Sequence, residues 1–384
     1  MERKAIYTTA NENILIEKGI KWNFHDSITK EHLHSLHPYP AKFIPQIPRK
    51  AIQKWSNEGD LIYDPFCGCG TTLLEASLLN RPSIGTDNNS VAVLVSQAKT
   101  ANYNKSDLLT LISYSENFDN LISKTRPLKK LIPNNKNFNY WFSPEVLLRL
   151  SALKRTILEN PQPIQNLLLS IFSSIIVKVS YQDSDTRYAR IDRKVTVPDV
   201  DRAFKLKLND VISSLSEIIN SPRASAIVRE ADARNVPFIK TDTIDLIVTS
   251  PPYLNAYDYH KYHRQRIHWI SGHVDFARDI EIGSHDEFTR NGATPENYFA
   301  DMKSCFTEWS RVLKSKGRCL IIIGDAIVSK KPVFVADQFI ILLKEVGLQL
   351  EDRWIRELRT TKKTFNGNSR INKEHILLLK RNKK

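Results

Sequence analysis

Residues 61–79 read LIYDPFCGCGTTLLEASLL, and they carry the clearest signal of the fold. Residues 61–64 are apolar enough to form a short buried strand, and the glycines within 67–70 predict a tight turn. From residue 71 onward, apolar side chains recur at the spacing of a helix. A strand that leads through a tight turn into a helix is the first unit of an α/β sheet.

The same alternation continues beyond this unit. A second short strand at 83–87 ends in an acid, and another apolar strand is predicted at 244–248. Between them, at 106–221, the pattern changes to long helical stretches with few convincing strands. The chain is therefore expected to consist of one α/β domain, formed by residues 1–105 and 222–384, and a mainly helical insertion.

Composition favours a polyanionic partner. The 384 residues include 56 Lys and Arg against 42 Asp and Glu, a formal net charge of +14. Such a charge attracts nucleic acid at long range and gains free energy from counterion release, although solubility alone would also explain it. No apolar run is long enough to span a membrane, and residues 1–13 lack the pattern of a secretory signal, so we expect a cytoplasmic protein.

Neither the cysteines nor the acids predict a metal site. The spacing of the four cysteines, two of them in the turn at 67–70, matches no metal-binding pattern. Asp183 and Asp185 lie among basic and aromatic residues, which is typical of a solvated or phosphate-contacting loop. We therefore expect free thiols in a reducing compartment and no bound metal.

The glycine turn lies where backbone amides and a helix dipole bind ligands. A phosphate loop would need a lysine after Gly70, and a dinucleotide site would need a third glycine where Leu73 would crowd the helix against the strand. S-adenosylmethionine remains, because it needs acids and close backbone approach but no phosphate nest. Asp87 is placed to accept hydrogen bonds from a ribose. A turn that only packs the helix on the strand is the alternative.

A second motif, IDLIVTSPPY at 244–253, favours a ligand site. Its strand ends at Val248, and the two prolines that follow fix φ and remove backbone donors. A conjugated exocyclic amine is a poor nucleophile, and the Ser250 hydroxyl and Pro251 carbonyl are acceptors that would hold its lone pair toward a methyl group. Tyr253 would stack on a base that has been extruded from a duplex.

Together the two motifs resemble the amino-methyltransferases of restriction-modification systems, with cofactor motif Asp-Pro-Phe-x-Gly-x-Gly and catalytic motif (Asp/Asn/Ser)-Pro-Pro-(Tyr/Phe). Serine in the first position of the second motif is associated with N4-cytosine enzymes, whereas Asp or Asn is usual for N6-adenine enzymes. Four further segments are similar to that family: HPYPAKF at 37–43, YLNAYDY at 253–259, GRCLIIIGD at 317–325 and NKEHILLL at 372–379. One departure is Cys69, where small residues or Thr are more usual.

The resemblance implies a Rossmann-like fold with a mixed seven-stranded sheet and S-adenosyl-L-methionine as cofactor. The cofactor contacts that it implies are Tyr39, Lys42, Phe43, Asp64, Pro65, Phe66, Cys67, Gly68, Gly70, Thr71, Asp87, Asn88, Asp232 and Ala233. The catalytic residues that it implies are Ser250, Pro251, Pro252 and Tyr253. Methyl transfer needs no metal, because the sulfonium is already activated. Lys42 as a surface lysine and Asp232 as a turn residue are the alternatives.

The substrate that this resemblance implies is double-stranded DNA, with a restriction endonuclease acting on the same site. We expect target recognition in the insertion at 106–221, together with a loop at 271–294. The candidates for contacts with the DNA backbone are Arg187, Arg190, Arg193 and Lys194. N6-adenine methylation, RNA amino-methylation and a non-catalytic binding module remain as alternatives to N4-cytosine methylation.

Overall fold

A computed structural model describes residues 22–24, 27–135, 137–289, 292–358 and 373–382. Residues 1–13 and Asn372, which the sequence analysis used, lie outside this part. The strands are β1 Ile62–Asp64, β2 Ser83–Asp87, β3 Gln182–Ser184, β4 Arg187–Arg190, β5 Ala226–Glu230, β6 Ile244–Thr249, β7 Leu313–Gly324, β8 Ala326–Val328, β9 Lys331–Val333, β10 Leu348–Glu357 and β11 Lys373–Arg381. The helices are α1 Gln46–Trp55, α2 Thr71–Leu78, α3 Ser90–Thr100, α4 Lys105–Glu116, α5 Phe118–Lys124, α6 Phe138–Trp141, α7 Pro144–Leu158, α8 Ile164–Ile175, α9 Val197–Ile218, α10 Tyr259–Tyr262, α11 Arg264–Ile270, α12 Val274–Asp279, α13 His285–Thr289, α14 Pro295–Val312 and α15 Val335–Glu345, with short 3-10 helices at His32–Ser35 and Lys129–Leu131.

Seven strands form the central sheet in the order β10-β11-β7-β6-β1-β2-β5. Strands β7, β6, β1, β2 and β5 are parallel to one another. Strand β11 is antiparallel to both β7 and β10. The α/β fold with a mixed seven-stranded sheet is therefore confirmed. From β1 the chain first adds β2 and β5 on one side of β1, and it later adds β6 on the opposite side of β1. This reversal of direction leaves a crevice at the carboxyl ends of β1 and β6, where open α/β sheets bind ligands.

Strand β7 shows how the two faces of the sheet are covered. Leu320 and Ile322 pack in a cluster with residues of α1, whereas Ile321 and Ile323 pack in a cluster with residues of α14 and α15. This alternation follows the period of two along a strand that is buried on both faces. The continuous apolar run in the sequence thus reflects burial between two helical layers.

The insertion packs on helix α3 and shares a hydrophobic core with it. Val91 and Val95 of α3 lie in the same buried cluster as Leu168 and Ile171 of α8 and most apolar residues of α7 and α9. The structure adds an antiparallel hairpin, β3–β4, to the expected helices. The segment 271–294, expected as a loop, contains the short helices α12 and α13.

Candidate active site

The glycine turn and the Ser-Pro-Pro-Tyr segment open onto one cleft at the carboxyl ends of β1 and β6, which are adjacent parallel strands. The cleft encloses about 840 Å³, including its open mouth. Its walls include most of the expected cofactor contacts: Tyr39, Lys42, Phe43, Pro65, Phe66, Cys67, Gly68, Thr71, Asp87, Asn88, Asp232 and Ala233. From the second motif, Ser250 and Pro252 reach the same cleft.

The turn needs its two glycines for different reasons. Both have positive φ, 48° at Gly68 and 75° at Gly70, a region that is unfavourable for other residues. A Cβ at Gly70 would lie 2.7 Å from Ser96 Oγ, so this glycine lets α3 approach the turn. A Cβ at Gly68 would lie 3.4 Å from the ring of Tyr39. Gly68 therefore keeps open the part of the cleft where a ligand can approach the backbone.

Leu73 does not crowd helix α2 against the sheet, which corrects the expectation from the sequence. The residue beneath it on β2 is Gly85, and a Cβ there would lie 2.4 Å from Leu73 Cδ1. The glycine that allows close packing thus stands on the strand, at Gly85, and not on the helix. Gly85 was not identified as a structural requirement in the sequence, because its partner is distant along the chain.

Asp87 is a half-buried acid on the wall of the cleft. Its Oδ2 accepts a hydrogen bond from Gly68 N at 2.8 Å, and its Oδ1 accepts one from Asn89 N at 3.0 Å. Burial raises the pKa of Asp87 to about 7, and the nearby Asp64 and Glu281 add to the shift. Asp87 thus fixes the glycine turn and also lines the cleft.

Four expected site residues do not line the cleft, namely Asp64, Gly70, Pro251 and Tyr253. Asp64 is fully buried behind the turn, where its Oδ1 accepts a hydrogen bond from Phe66 N at 3.2 Å. Burial raises the pKa of Asp64 to about 6, against hydrogen bonds that lower it. Asp64 therefore stabilises the turn through its hydrogen bond to Phe66 N, on the side away from the cleft.

The amino-terminal segment forms one side of the cleft. The ring of Tyr39 stacks on His263 with centroids 4.5 Å apart, and Lys42 Nζ donates to His34 O at 2.9 Å. Tyr39 is thereby held against the segment that follows the catalytic motif. Lys42 is exposed and anchored by this hydrogen bond, and its role as a cofactor contact stays a prediction.

Two hydrogen bonds fix the Ser-Pro-Pro-Tyr segment, one at the Pro252 carbonyl and one at the Tyr253 hydroxyl. The Tyr298 hydroxyl donates to Pro252 O at 2.8 Å, and the Tyr253 hydroxyl donates to Glu374 Oε1 at 2.8 Å. Among the described residues no group donates to Pro251 O, so this carbonyl is an acceptor without a partner there. Burial and the charge of Glu374 raise the pKa of Tyr253, which keeps its hydroxyl protonated.

The sequence analysis missed the segment after α12, which contributes Ile280, Glu281 and Ile282 to the cleft. Glu281 is buried and accepts hydrogen bonds from the backbone N–H groups of Tyr259 at 2.7 Å and His260 at 3.1 Å. Tyr259 itself lines the cleft. An acid between two isoleucines was the only local signal for this contact.

The predicted DNA-contact residues lie on or beside the β3–β4 hairpin, and one of them is hydrogen-bonded within the protein. Arg193 donates to the backbone carbonyls of Ser180, Val177 and Gln182, so its guanidinium holds the end of the α8 region to the hairpin. These bonds occupy the Arg193 guanidinium within the protein, and its role as a DNA contact stays a prediction. The other three candidates have exposed or half-exposed side chains: Arg187, Arg190 and Lys194.

The two acids of the hairpin are used in ion pairs. Asp183 pairs with Arg187 at 3.2 Å, and Asp185 pairs with the fully buried Arg266 of α11. Among the described residues there is no cluster of His, Cys, Asp and Glu that would hold a metal ion. Asp185 instead connects the insertion to the segment that follows the catalytic motif.

A family model and several curated proteins are similar to this chain. A family model described as DNA methylase, of the N6 and N4 methyltransferases, matches residues 11–100 and 244–384. The chain is 26% identical over 296 residues to the Type II methyltransferase M.MvaI of Kocuria varians, covering 71% of this chain and 65% of that protein. It is 25% identical over 395 residues to the Type II methyltransferase M.MjaII of Methanocaldococcus jannaschii, covering 79% and 74%.

A solved structure of an S-adenosylmethionine-dependent methyltransferase from Methanosarcina mazei is 10% identical, covers 91% of this chain and all of that one, and has a TM-score of 0.36. The fold is an open α/β sheet with a cleft at the carboxyl ends of its parallel strands. Because the family model matches more than half of its residues, the chain belongs to the DNA methylase family of N6 and N4 amino-methyltransferases. S-adenosyl-L-methionine is its cofactor. Within the described residues, no helix has the length and apolarity that crossing a membrane requires.

Proposed function

We propose that the chain transfers a methyl group from S-adenosyl-L-methionine to the exocyclic N4 of cytosine in double-stranded DNA, as the modification enzyme of a restriction-modification system. The main observation behind this proposal is the shared cleft: Gly68 and Asp87 lie on one side of it and Ser250 on another. The names of the relatives, Type II methyltransferases, support the substrate class. The serine of the Ser-Pro-Pro-Tyr motif favours cytosine N4 over adenine N6.

The cofactor, when bound, supplies a methyl group that its sulfonium has already activated. Asp87 and Gly68 would hold it at the turn, together with Tyr39, Lys42, Phe43 and Asp232 along the walls. None of these residues needs to form a covalent bond with the substrate. Their contribution is to fix the position of the methyl donor, and positioning of this kind lowers the barrier of a two-reactant step.

Ser250 and Pro251 would orient the target amine. Ser250 lines the cleft. Pro251 follows it directly and does not line the cleft, but its carbonyl has no partner among the described residues, and we propose that both groups accept an N–H from the base. The carbonyl of Pro252 is held by Tyr298, which keeps the loop in one conformation. A prearranged pair of acceptors aims the lone pair of the amine without reorganisation at the moment of attack.

An extruded base would meet aromatic side chains at the cleft. Tyr39, Phe43 and Tyr259 line it, and Tyr253 lies beside it with its hydroxyl bound to Glu374. Stacking on such rings offsets part of the cost of removing a base from the duplex. We keep Tyr253 as a stacking residue in this proposal, with its ring held from the carboxyl-terminal hairpin.

Recognition of the target sequence is assigned to the insertion at 106–221, between the two parts of the methyltransferase domain at 1–105 and 222–384. The β3–β4 hairpin of the insertion packs beside α10, whose Tyr259 lines the cleft. Arg187, Arg190 and Lys194 are proposed to contact the DNA backbone there.

The test is a transfer assay with purified protein, labelled S-adenosylmethionine and double-stranded DNA. The DNA is digested to nucleosides, and methylated species are identified by mass spectrometry. N4-methylcytosine is the expected product. N6-methyladenine would support the alternative within the family, label on RNA alone would change the substrate class, and binding of cofactor and DNA without transfer would identify a non-catalytic module. Base-resolved sequencing of DNA from expressing cells then gives the recognition site and tests for a matching endonuclease specificity.

A further inference from the structure

A tyrosine of the insertion presents its ring to solvent beside the β3–β4 hairpin. Tyr140, in α6, is 55% exposed, whereas the next residue, Trp141, is 8% exposed. Single exposed apolar side chains are common on protein surfaces and carry no functional meaning by themselves. Tyr140 differs from such residues because its neighbours hold the ring in one orientation.

Two side chains fix the position of the Tyr140 ring. The guanidinium of Arg190, on β4, lies over it with its central carbon 5.0 Å from the ring centroid, and Arg190 Nε donates to Tyr140 O at 2.9 Å. The ring of Trp141 meets it edge to face, with centroids 5.1 Å apart and planes at 90°. The Tyr140 ring therefore loses little conformational freedom when a further group packs on its exposed surface.

The ring belongs to a row of aromatic and cationic side chains. Arg190 also lies over the ring of Tyr181, 4.9 Å from its centroid. The ring of Trp141 packs on that of Tyr188, with centroids 4.7 Å apart. The guanidinium of Arg264, in α11, lies 5.8 Å from the centroid of the Tyr188 ring. Aromatic faces next to guanidinium groups are typical of surfaces on which nucleobases stack.

The charge of this region favours a polyanionic partner over an apolar protein surface. Residues 178–194 contain five basic and three acidic residues. All three acids form ion pairs with arginines: Asp183, Asp185 and Asp192. A protein that buried Tyr140 would have to desolvate the surrounding charges, whereas a nucleic acid neutralises basic groups and releases counterions.

The strand that carries Arg190 lies beside the active-site cleft. Strand β4 contacts α10, and Tyr259 of α10 lines the cleft. In an intact duplex both faces of each base are covered by neighbouring bases, so an aromatic side chain reaches a base face only where the duplex is opened. Extrusion of the target nucleotide opens the duplex and leaves the opposite base unpaired.

We propose that Tyr140 stacks on a nucleobase of the opened duplex at the target site, and that Arg190 positions the Tyr140 ring for this contact. The inference rests on the proposed function, because that reaction supplies the opened duplex. It adds to the DNA-binding surface an aromatic contact that recognises an exposed base face. Every base has such a face, so the contact contributes affinity without reading sequence.

The test compares two duplexes of the same mixed sequence, one intact and one with a central abasic position that imitates the extruded nucleotide. Fluorescence anisotropy follows binding at several salt concentrations, without cofactor. The wild-type protein should prefer the abasic duplex. Tyr140→Ala should weaken binding to the abasic duplex by about 5- to 150-fold, the range for loss of one stacked base, and should change binding to the intact duplex little.

The dependence on salt separates stacking from a phosphate contact. In Tyr140→Ala the slope of log affinity against log salt concentration should stay at the wild-type value, because stacking releases no counterions. Tyr140→Phe keeps the ring and should bind both duplexes like the wild type. Ile341→Ala, at an exposed isoleucine of α15, is the control for loss of an exposed apolar side chain and should also bind normally.

A 2-aminopurine opposite the abasic position reports the contact directly, because its fluorescence is quenched when an aromatic ring stacks on it. The wild type and Tyr140→Phe should quench it, and Tyr140→Ala should not. Equal affinity of the wild type and Tyr140→Ala for the abasic duplex, or quenching that persists in Tyr140→Ala, would overturn the proposal and leave the proposed methyl transfer intact. Binding of neither duplex by the wild type would contradict both.

Discussion

The hydroxyl of Tyr253 donates a 2.8 Å hydrogen bond to Oε1 of Glu374, and this bond connects the catalytic loop to strand β11. The other carboxylate oxygen of Glu374 accepts from Arg356 Nη1 on β10 at 2.7 Å. The carboxyl-terminal hairpin thus holds the aromatic ring of the Ser-Pro-Pro-Tyr segment from behind. Glu374 is a positioning residue, since its carboxylate acts on the cleft through Tyr253.

Replacing Glu374 with Gln should loosen Tyr253 without removing its ring. A hydrogen bond to a charged acceptor contributes about 1.5–3 kcal/mol, so we expect a roughly tenfold or greater fall in kcat with unchanged cofactor affinity. Tyr253→Phe is the matched variant, because it removes the same bond from the other side, and the two should give similar losses that do not add in the double variant. Steady-state methylation of DNA checks this. Additive losses would mean that the two residues act independently.

Ser250→Ala should remove one acceptor for the target amine. Loss of one prearranged hydrogen-bonding group in an active site lowers kcat by roughly 100-fold. Cofactor affinity should stay at the wild-type value, because Ser250 is not proposed to contact the parts of the cofactor that anchor it. Ser304→Ala, at an exposed serine of α14 whose hydroxyl bonds to Ala300 O, is the control and should be fully active. Wild-type kcat in Ser250→Ala would refute the assigned role.

Cofactor affinity should depend on the ionisation of Asp87. Its pKa is raised to about 7 by burial, with Asp64 and Glu281 as further acidic neighbours. Ribose hydroxyls donate to the ionised form, so affinity for S-adenosylhomocysteine should increase from pH 6 to pH 8, approaching about tenfold per pH unit below the pKa. Calorimetric titration at several pH values measures it. Asp87→Asn should bind more weakly and with a flat profile, and a sloping profile in that variant would contradict the assignment.

For folding of the free chain, the same group acts in the opposite direction. A raised pKa in the folded state contributes stability that is full below the ordinary Asp pKa and is lost as pH rises through about 7. Asp87→Asn should therefore reduce the loss of unfolding free energy between pH 5 and pH 8, measured by urea denaturation without ligand. An identical pH dependence in both proteins would count against the shift at Asp87.

The ion pair between Asp185 and Arg266 should stabilise the attachment of the hairpin. Arg266 is 0% exposed and Asp185 38% exposed, so Asp185→Asn leaves a buried guanidinium short of its partner. Solvent screening at the half-exposed Asp185 reduces the cost from that of a fully buried pair to about 1–2 kcal/mol of unfolding free energy. Asp183→Asn is the matched control, because its partner Arg187 is 56% exposed, and it should cost less than about 0.5 kcal/mol. Equal losses of unfolding free energy in the two variants would show that burial of Arg266 does not set the cost.

Arg187→Ala should weaken DNA binding uniformly across sequences. Loss of one phosphate contact reduces the slope of log affinity against log salt concentration by about one. Binding of duplexes at several salt concentrations, followed by fluorescence anisotropy, measures both quantities. Arg318→Ala, on β7 and paired with Glu351, should leave the slope unchanged. An unchanged slope in Arg187→Ala would exclude that residue as a phosphate contact.

The central sheet and the cleft could be predicted because their signals are local. The apolar strand before Asp64 and the one before Ser250 each run directly into a stiff turn, and parallel strands place such turns at one edge of the sheet. The two strands of the closing hairpin, β10 and β11, contain apolar runs near Leu350 and Leu377. These elements depend on residues that are adjacent in sequence and therefore visible in the pattern.

The remaining features depend on contacts between distant residues. The β3–β4 hairpin consists mostly of polar residues and is held by Arg193 and Arg266, so it has no clear apolar alternation to reveal it. Glu281 reaches the cleft only because it binds the backbone at Tyr259. The fit of Leu73 depends on Gly85, twelve positions later. Sequence patterns along one segment do not contain such pairs.

The shared core of α3 and the inserted helices constrains how sequence preference can be re-engineered. Val91 and Val95 contribute to the same apolar interior as Leu168 and Ile171, so no solvent-exposed joint exists there at which one specificity module could be swapped for another. A chimera that takes residues 106–221 from a relative would also need the relative's residues on the face of α3 that packs against them. If the insertion reads the target as proposed, target choice should therefore be easier to change through individual side chains of the β3–β4 hairpin than by transplanting the whole segment.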